Sequence, residues 1–129
     1  MALIVLDASV LIALLDPADI LHLPAQRGFE LVAGDDLRLP ASALAEILVM
    51  PARTGRLEDA RASIKALDLG IAPIGEETAV EAARLRGRHR NLRLPDALVL
   101  ATANVLEADI LITGDANWSQ LSTRVRVIA

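Results

Sequence analysis

The sequence predicts a three-layer α/β/α fold, a five-stranded parallel sheet with helices on both faces, and three observations carry that prediction. Short continuous apolar runs such as Leu3–Leu6 have the pattern of strands buried on both faces. These runs alternate with longer stretches of helical pattern, the arrangement that joins parallel strands through crossover helices. The chain has 129 residues, of which 53% are hydrophobic and 23% charged, enough to enclose one core and too few for two domains. A single domain over residues 1–129 is expected, with no repeat, linker or low-complexity segment.

In chain order, Leu3–Leu6 is the first strand, ended by Asp7, and Asp7-Ala-Ser-Val opens a helix to Leu15. Asp16-Pro17 breaks the chain, and a second helix is predicted over residues 24–32. Gly34-Asp35-Asp36 marks a turn before a short strand at residues 37–39, and Ser42 is the predicted cap of a helix reaching Arg53. Pro51 should kink or close the last turn of that helix, and Thr54-Gly55 should end it. Residues 57–67 read as a further helix ended by Gly70, followed by a strand at residues 71–74 whose proline suits a sheet edge. Glu76, Glu77 and Glu81 precede Arg84 and Arg86, a charge order that complements a helix dipole. Pro95 fits the first position of a helix to Glu107, and strands follow at residues 109–113 and 125–128.

Composition narrows the function classes. No cysteine is present, which removes thiol catalysis, thiolate zinc sites and disulfides. Phe29 and Trp118 are the only aromatic residues, too few to stack successive bases of a single strand. Net charge is −4, so the chain is not a basic nucleic-acid coat. The first Arg or Lys is Arg27, and no apolar run is long enough to span a bilayer, so a cytoplasmic protein without a membrane partner is expected.

In open α/β sheets the functional crevice lies outside the carboxyl ends of the strands. Asp7 ends the first strand, and Asp115 follows the fourth through Thr113-Gly114, where a glycine permits a sharp turn. Asp96 lies in the first turn of its helix. Taken singly, Asp7 could be an N-cap, Asp96 a dipole partner and Asp115 a turn residue. Glu46 is harder to explain that way. It interrupts the apolar run Ala43-Leu-Ala-Glu-Ile-Leu-Val-Met50, and Ser42, Ala43, Val49 and Met50 offer it no basic partner one turn away. If the four converge, repulsion would raise their pKa values unless a divalent cation holds them ionised, and oxygen ligands of this kind suit Mg²⁺ or Mn²⁺. Carboxylates holding one or two such ions, roughly 4 Å apart, hydrolyse phosphodiesters with a metal-activated water.

Four segments carry a resemblance: Leu6-Asp7-Ala-Ser-Val-Leu11, Ser42-Ala-Leu-Ala-Glu46, Leu94-Pro-Asp96-Ala-Leu-Val-Leu-Ala-Thr102-Ala, and Leu111-Ile-Thr-Gly-Asp115-Ala-Asn-Trp118. In this order, over essentially the whole chain, they resemble the PIN domain and most closely the VapC-type toxins of bacterial toxin–antitoxin pairs. The resemblance implies a PIN-like fold with strand order 3-2-1-4-5, a metal-dependent endoribonuclease acting on RNA, products bearing a 5′-phosphate, a homodimer and a cognate antitoxin. It places Asp7, Glu46, Asp96 and Asp115 on the catalytic and metal-binding acids, and Ser9 and Thr113 on supporting hydroxyls. Where the family often has one more acid, this chain has Asn117, an amide in a supporting position that should hold a second metal only weakly.

Arg84, Arg86, Arg88, Arg90 and Arg93, with His89, form a basic stretch leading into Asp96. It reads either as a solvated face or as a phosphate contact by which Arg86, Arg88, Arg90 and Arg93 bind RNA. His22 and His89 lack the spacing of a metal pair or a general base, and Trp118 reads as packing against the sheet edge. A receiver-type phosphotransfer domain also gathers acids at strand ends, but it wants a lysine after the last strands and the only lysine is Lys65. A decayed PIN-like scaffold that binds protein or RNA is the non-enzymatic alternative.

Overall fold

A computed structural model describes residues 1–129. Five parallel strands form one sheet in the order β3-β2-β1-β4-β5, from β1 (Leu3–Leu6), β2 (Asp36–Pro40), β3 (Gly70–Ala72), β4 (Ile110–Thr113) and β5 (Val125–Val127). The expected strand order and layering are observed. Between the strands run α1 (Ala8–Leu15), α2 (His22–Leu31), α3 (Ala41–Arg53), α4 (Leu57–Lys65), α5 (Glu76–Arg88) and α6 (Leu94–Val105). No helix is long and apolar enough to cross a membrane.

The central strand is the most apolar because both its faces are covered: Ile4, Val5 and Leu6 are wholly buried. They pair with Leu37 and Arg38 of β2 on one side and with Ile110, Leu111 and Ile112 of β4 on the other. Helix α6 packs across β1, β2 and β4, with α5 laid on it, which is why Ala97, Val99, Leu100, Ala101 and Ala103 are all buried. The two edges are short, and Arg126 stands exposed on β5, features that discourage pairing with another sheet. The chain leaves β1 toward β2 on one side and reaches β4 on the other. This reversal opens a crevice at the carboxyl ends of β1 and β4.

Local details depart from the sequence reading where tertiary contacts dominate. Helix α2 begins at His22 rather than Pro24, because the His22 ring Nδ1–H donates to the Ala13 carbonyl at the end of α1 (2.8 Å) and ties the two helices together. Ser42 does not cap α3. Pro40 occupies the cap position, and the Ser42 hydroxyl lies inside the first turn, buried and without a hydrogen-bond partner. Gly70 does not end a helix either: α4 stops at Lys65, and Gly70 belongs to β3, where a Cβ would meet Arg38 Cδ at 2.8 Å.

Candidate active site

The crevice is built first from β1 and β4. Asp7 caps α1, with Ala8 N–H donating to its Oδ1 at 2.8 Å. Its Oδ2 accepts from the Ser9 hydroxyl at 2.7 Å and from the Thr113 hydroxyl at 2.9 Å. Each hydroxyl is oriented by a backbone amide in turn: Gly114 N–H donates to Ser9 Oγ (2.9 Å) and Asp115 N–H to Thr113 Oγ1 (3.1 Å). A hydroxyl that accepts from an amide is left with its proton for the carboxylate. Gly114 serves this network by close approach rather than by an unusual turn. A Cβ there would meet Leu21 Cδ1 at 2.9 Å and Ser9 Oγ at 3.3 Å. Asp115 then caps a 3-10 turn over Ala116–Gln120, accepting from Asn117 N–H at 2.9 Å.

Helices supply the remaining acids. Glu46 sits mid-way along α3, and Asp96 lies in the first turn of α6. Together with Asp7, Ser9, Asp115, Asn91, Arg93 and Trp118 they line one cleft of about 440 Å³. The structure therefore gathers all four predicted acids and the Ser9 support in a single concavity, with Thr113 buried directly behind Asp7. Glu46 is exposed as a residue, yet partial desolvation, then the charges of Asp7 and Asp96, push its carboxyl above the usual range against the opposing pull of Arg93. Desolvation likewise raises Asp96; Arg93 pulls it down, and Asp7 and Asp115 add to the rise. Arg93 Nε stands 3.9 Å from Asp96 Oδ2, the only ion pair within the cleft.

An all-oxygen donor set whose carboxylates repel one another fits a hard divalent cation. No group of three or more acids or histidines is drawn into a metal cluster; Asp7, Glu46, Asp96 and Asp115 are the residues that would hold a cation in this cleft. Asn117 lines an adjoining cleft, which it shares with Asp96 and Asp115 but not with Asp7 or Glu46.

Of the basic stretch, Arg84 pairs with Glu81 at 3.8 Å, and Arg86 Nε donates to the Leu92 carbonyl at 2.9 Å, pinning the loop before α6. Arg88 and Arg90 are exposed. Trp118 is buried and forms part of the cleft wall. Sequence reasoning overlooked Asn91, which lines the cleft from a loop that carries no pattern, and it did not place Arg93 inside the acid site. The three-residue spacing of Arg93 and Asp96 across a helix start was the available signal for the latter.

A doubly wound sheet with carboxylates gathered at its switch point defines a class of α/β proteins that act at strand ends. Residues 4–123 match the PIN domain family, and the chain belongs to it. Comparison with curated protein sequences finds no match. Solved structures share the fold at low identity. A toxin–antitoxin complex from Klebsiella pneumoniae contains a chain 22% identical with TM-score 0.79, covering 95% of each chain. Mycobacterium tuberculosis VapC20, described as a sarcin-ricin loop cleaving toxin, is 19% identical with TM-score 0.80, covering 98% of this chain and 99% of that one. VapBC2 of Rickettsia felis, bound to a DNA fragment from its promoter, gives 13% and 0.81 with the same coverage.

Proposed function

We propose that the chain, acting as one domain in the cytoplasm, is a divalent-cation-dependent endoribonuclease and the toxin of a toxin–antitoxin pair. The observation that carries this reading is the single cleft lined by Asp7, Glu46, Asp96 and Asp115 at the carboxyl ends of the central strands. Membership of the PIN family, and the toxin–antitoxin setting of structures with the same fold, support it.

The four carboxylates would hold Mg²⁺ or Mn²⁺. When bound, the cation would activate a water for attack on phosphorus and neutralise charge on the leaving oxygen. The chain's own residues prepare that event. Ser9 and Thr113 occupy Oδ2 of Asp7, and Ala8 N–H takes one lone pair of Oδ1. The second lone pair of Oδ1 is therefore the one free to bind, and its direction is fixed. Arg93 tempers the repulsion between Glu46 and Asp96 before the cation arrives. Arg88 and Arg90, both exposed, hold the phosphates of the approaching RNA, between Arg86, which pins the loop before α6, and Arg93, which faces Asp96. The products carry a 5′-phosphate, the functional unit is a homodimer, and a cognate antitoxin covers it.

The test is cleavage of a mixed-sequence RNA by the purified chain with Mg²⁺ or Mn²⁺, and again in excess EDTA. Cutting that depends on the cation and generates 5′-phosphate ends is expected. Cutting that persists in EDTA removes the metal mechanism, and no cutting under any cation favours a binding scaffold.

A further inference from the structure

Beside the acid cleft lies a second concavity of about 480 Å³. The two share Asn91, Asp96, Asp115 and Trp118. The second cleft is therefore within reach of a nucleotide next to a scissile phosphate that lies over the carboxylates. The floor of that cleft is apolar, made by Leu92, Trp118 and Leu121. Its polar lining carries three carboxamides, on Asn91, Asn117 and Gln120, beside His89, Arg90 and the shared carboxylates Asp96 and Asp115. Elsewhere a carboxamide is already in use, as where Asn104 Nδ2 donates to Glu81 at 2.8 Å. The three rim side chains have no such bond, and all three residues are exposed.

An apolar floor with a few polar groups at its edge suits a flat, polar-edged ligand. We propose that this second cleft is a base-reading subsite: the nucleobase next to the scissile phosphate lies over the apolar floor, and the carboxamides of Asn117, Asn91 and Gln120 hydrogen-bond its edge. The identity of the ligand rests on the ribonuclease reading above. A carboxamide presents a donor and an acceptor side by side, as the Watson–Crick edge of an unpaired base requires. A carboxylate at position 117 would offer acceptors only and would repel the backbone. The 3-10 turn over Ala116–Gln120 brings Asn117 and Gln120 to the same rim, three positions apart. Arg90, also lining this cleft, supplies a phosphate contact on the outer side.

Two measurements test the subsite. The first follows the side-chain amide NMR signals of Asn91, Asn117 and Gln120 during titration with each of the four nucleoside 5′-monophosphates, with no metal and no cleavage needed. All three signals should move, and one base should bind about tenfold more tightly than the weakest, the discrimination of one good edge contact. Asn117→Ala and Gln120→Ala should each erase that preference. The second compares cut sites in a randomised RNA pool for the wild type and both variants, and the preference at the position next to the cut should flatten. Equal response to all four nucleotides, no movement of these amides, or an unaltered cut profile in the variants overturns the subsite and leaves the ribonuclease reading intact. Base-selective binding by a chain that cuts no RNA removes the ribonuclease reading and leaves a nucleotide-binding cleft standing.

Discussion

The acid site has two halves built on different principles. At the strand ends, Asp7 and Asp115 are held by the fold itself: Asp7 accepts three hydrogen bonds and Asp115 takes an amide of the following turn. On the helices, Glu46 and Asp96 receive no hydrogen bond, and a single arginine at 3.9 Å from Asp96 is the compensation in reach. The first half is oriented by the protein's own donors, with no ligand needed. The second half is left as charge in a partly dry cleft, a state that an incoming cation relieves. Geometry is stored in the strand half, and the proposed cation dependence would reside in the helical half.

The sharpest way to break this contrast is Asp96→Asn. Cleavage should fall by more than about a hundredfold, beyond the usual cost of losing a residue that merely supports a ligand, while the fold survives. Stability should move the other way. A carboxyl whose folded pKa is raised binds protons more readily folded than unfolded. Its stabilising contribution is therefore complete below the ordinary values of 3.8 for Asp96 and 4.5 for Glu46, and it is lost as pH rises through the raised folded values. In EDTA at neutral pH, Asp96→Asn and Glu46→Gln should each raise Tm by a few degrees, and this gain should vanish in acid. Adding Mg²⁺ should raise the wild-type Tm and leave that of the double variant unmoved. A Tm for either variant below the wild type at neutral pH would show that these acids are structural.

Thr113→Val attacks the strand half. It strips one donor from Asp7 and leaves the Asp115 amide without its acceptor, so unfolding by urea should show a loss of about 1–3 kcal/mol. Cleavage should drop about 10–100-fold. Thr113→Ser should restore both, because the hydroxyl and not the methyl is what Asp7 uses.

A smaller effect is expected from the arginines, which the structure sorts into two kinds. Arg88→Ala with Arg90→Ala should weaken RNA binding and reduce the slope of log affinity against log salt by about 0.7 for each phosphate no longer neutralised. Arg86→Ala should instead cost about 1 kcal/mol of stability, since its Nε holds the Leu92 carbonyl. The smallest effect should come from Ser42→Ala. It removes a buried hydroxyl that has no partner, so denaturant midpoints should stay level or rise slightly.

The strand half and the helical half were not equally legible in the sequence. Asp7 and Asp115 stand out because each follows a short apolar run, and Glu46 because it breaks a helix's apolar pattern without a nearby base. The hydroxyl network is a different matter. Ser9 and Gly114 are 105 positions apart, and only the pairing of β1 with β4 brings them together, so Ser9 and Thr113 were visible by resemblance alone. Gly114 was understood as a turn glycine, whereas it is small because Ser9 and Leu21 crowd it. The place of Asn117 in the second cleft was equally hidden, because a 3-10 turn that lasts five residues leaves too little periodicity to read. Strand order was also supplied by resemblance, since alternation of strands and helices says that a sheet is parallel without saying which strands are neighbours.

Trp118 lies in the wall common to both clefts, and the chain has no other tryptophan and no tyrosine. Ultraviolet emission at long wavelength therefore comes from one indole at one known place. A cation entering on the carboxylate side and a nucleotide settling on the carboxamide side would disturb the same chromophore from different directions, and paramagnetic Mn²⁺ would quench it where Mg²⁺ would not. The molecule carries its own optical gauge of occupancy, with no label to attach and no second emitter to subtract.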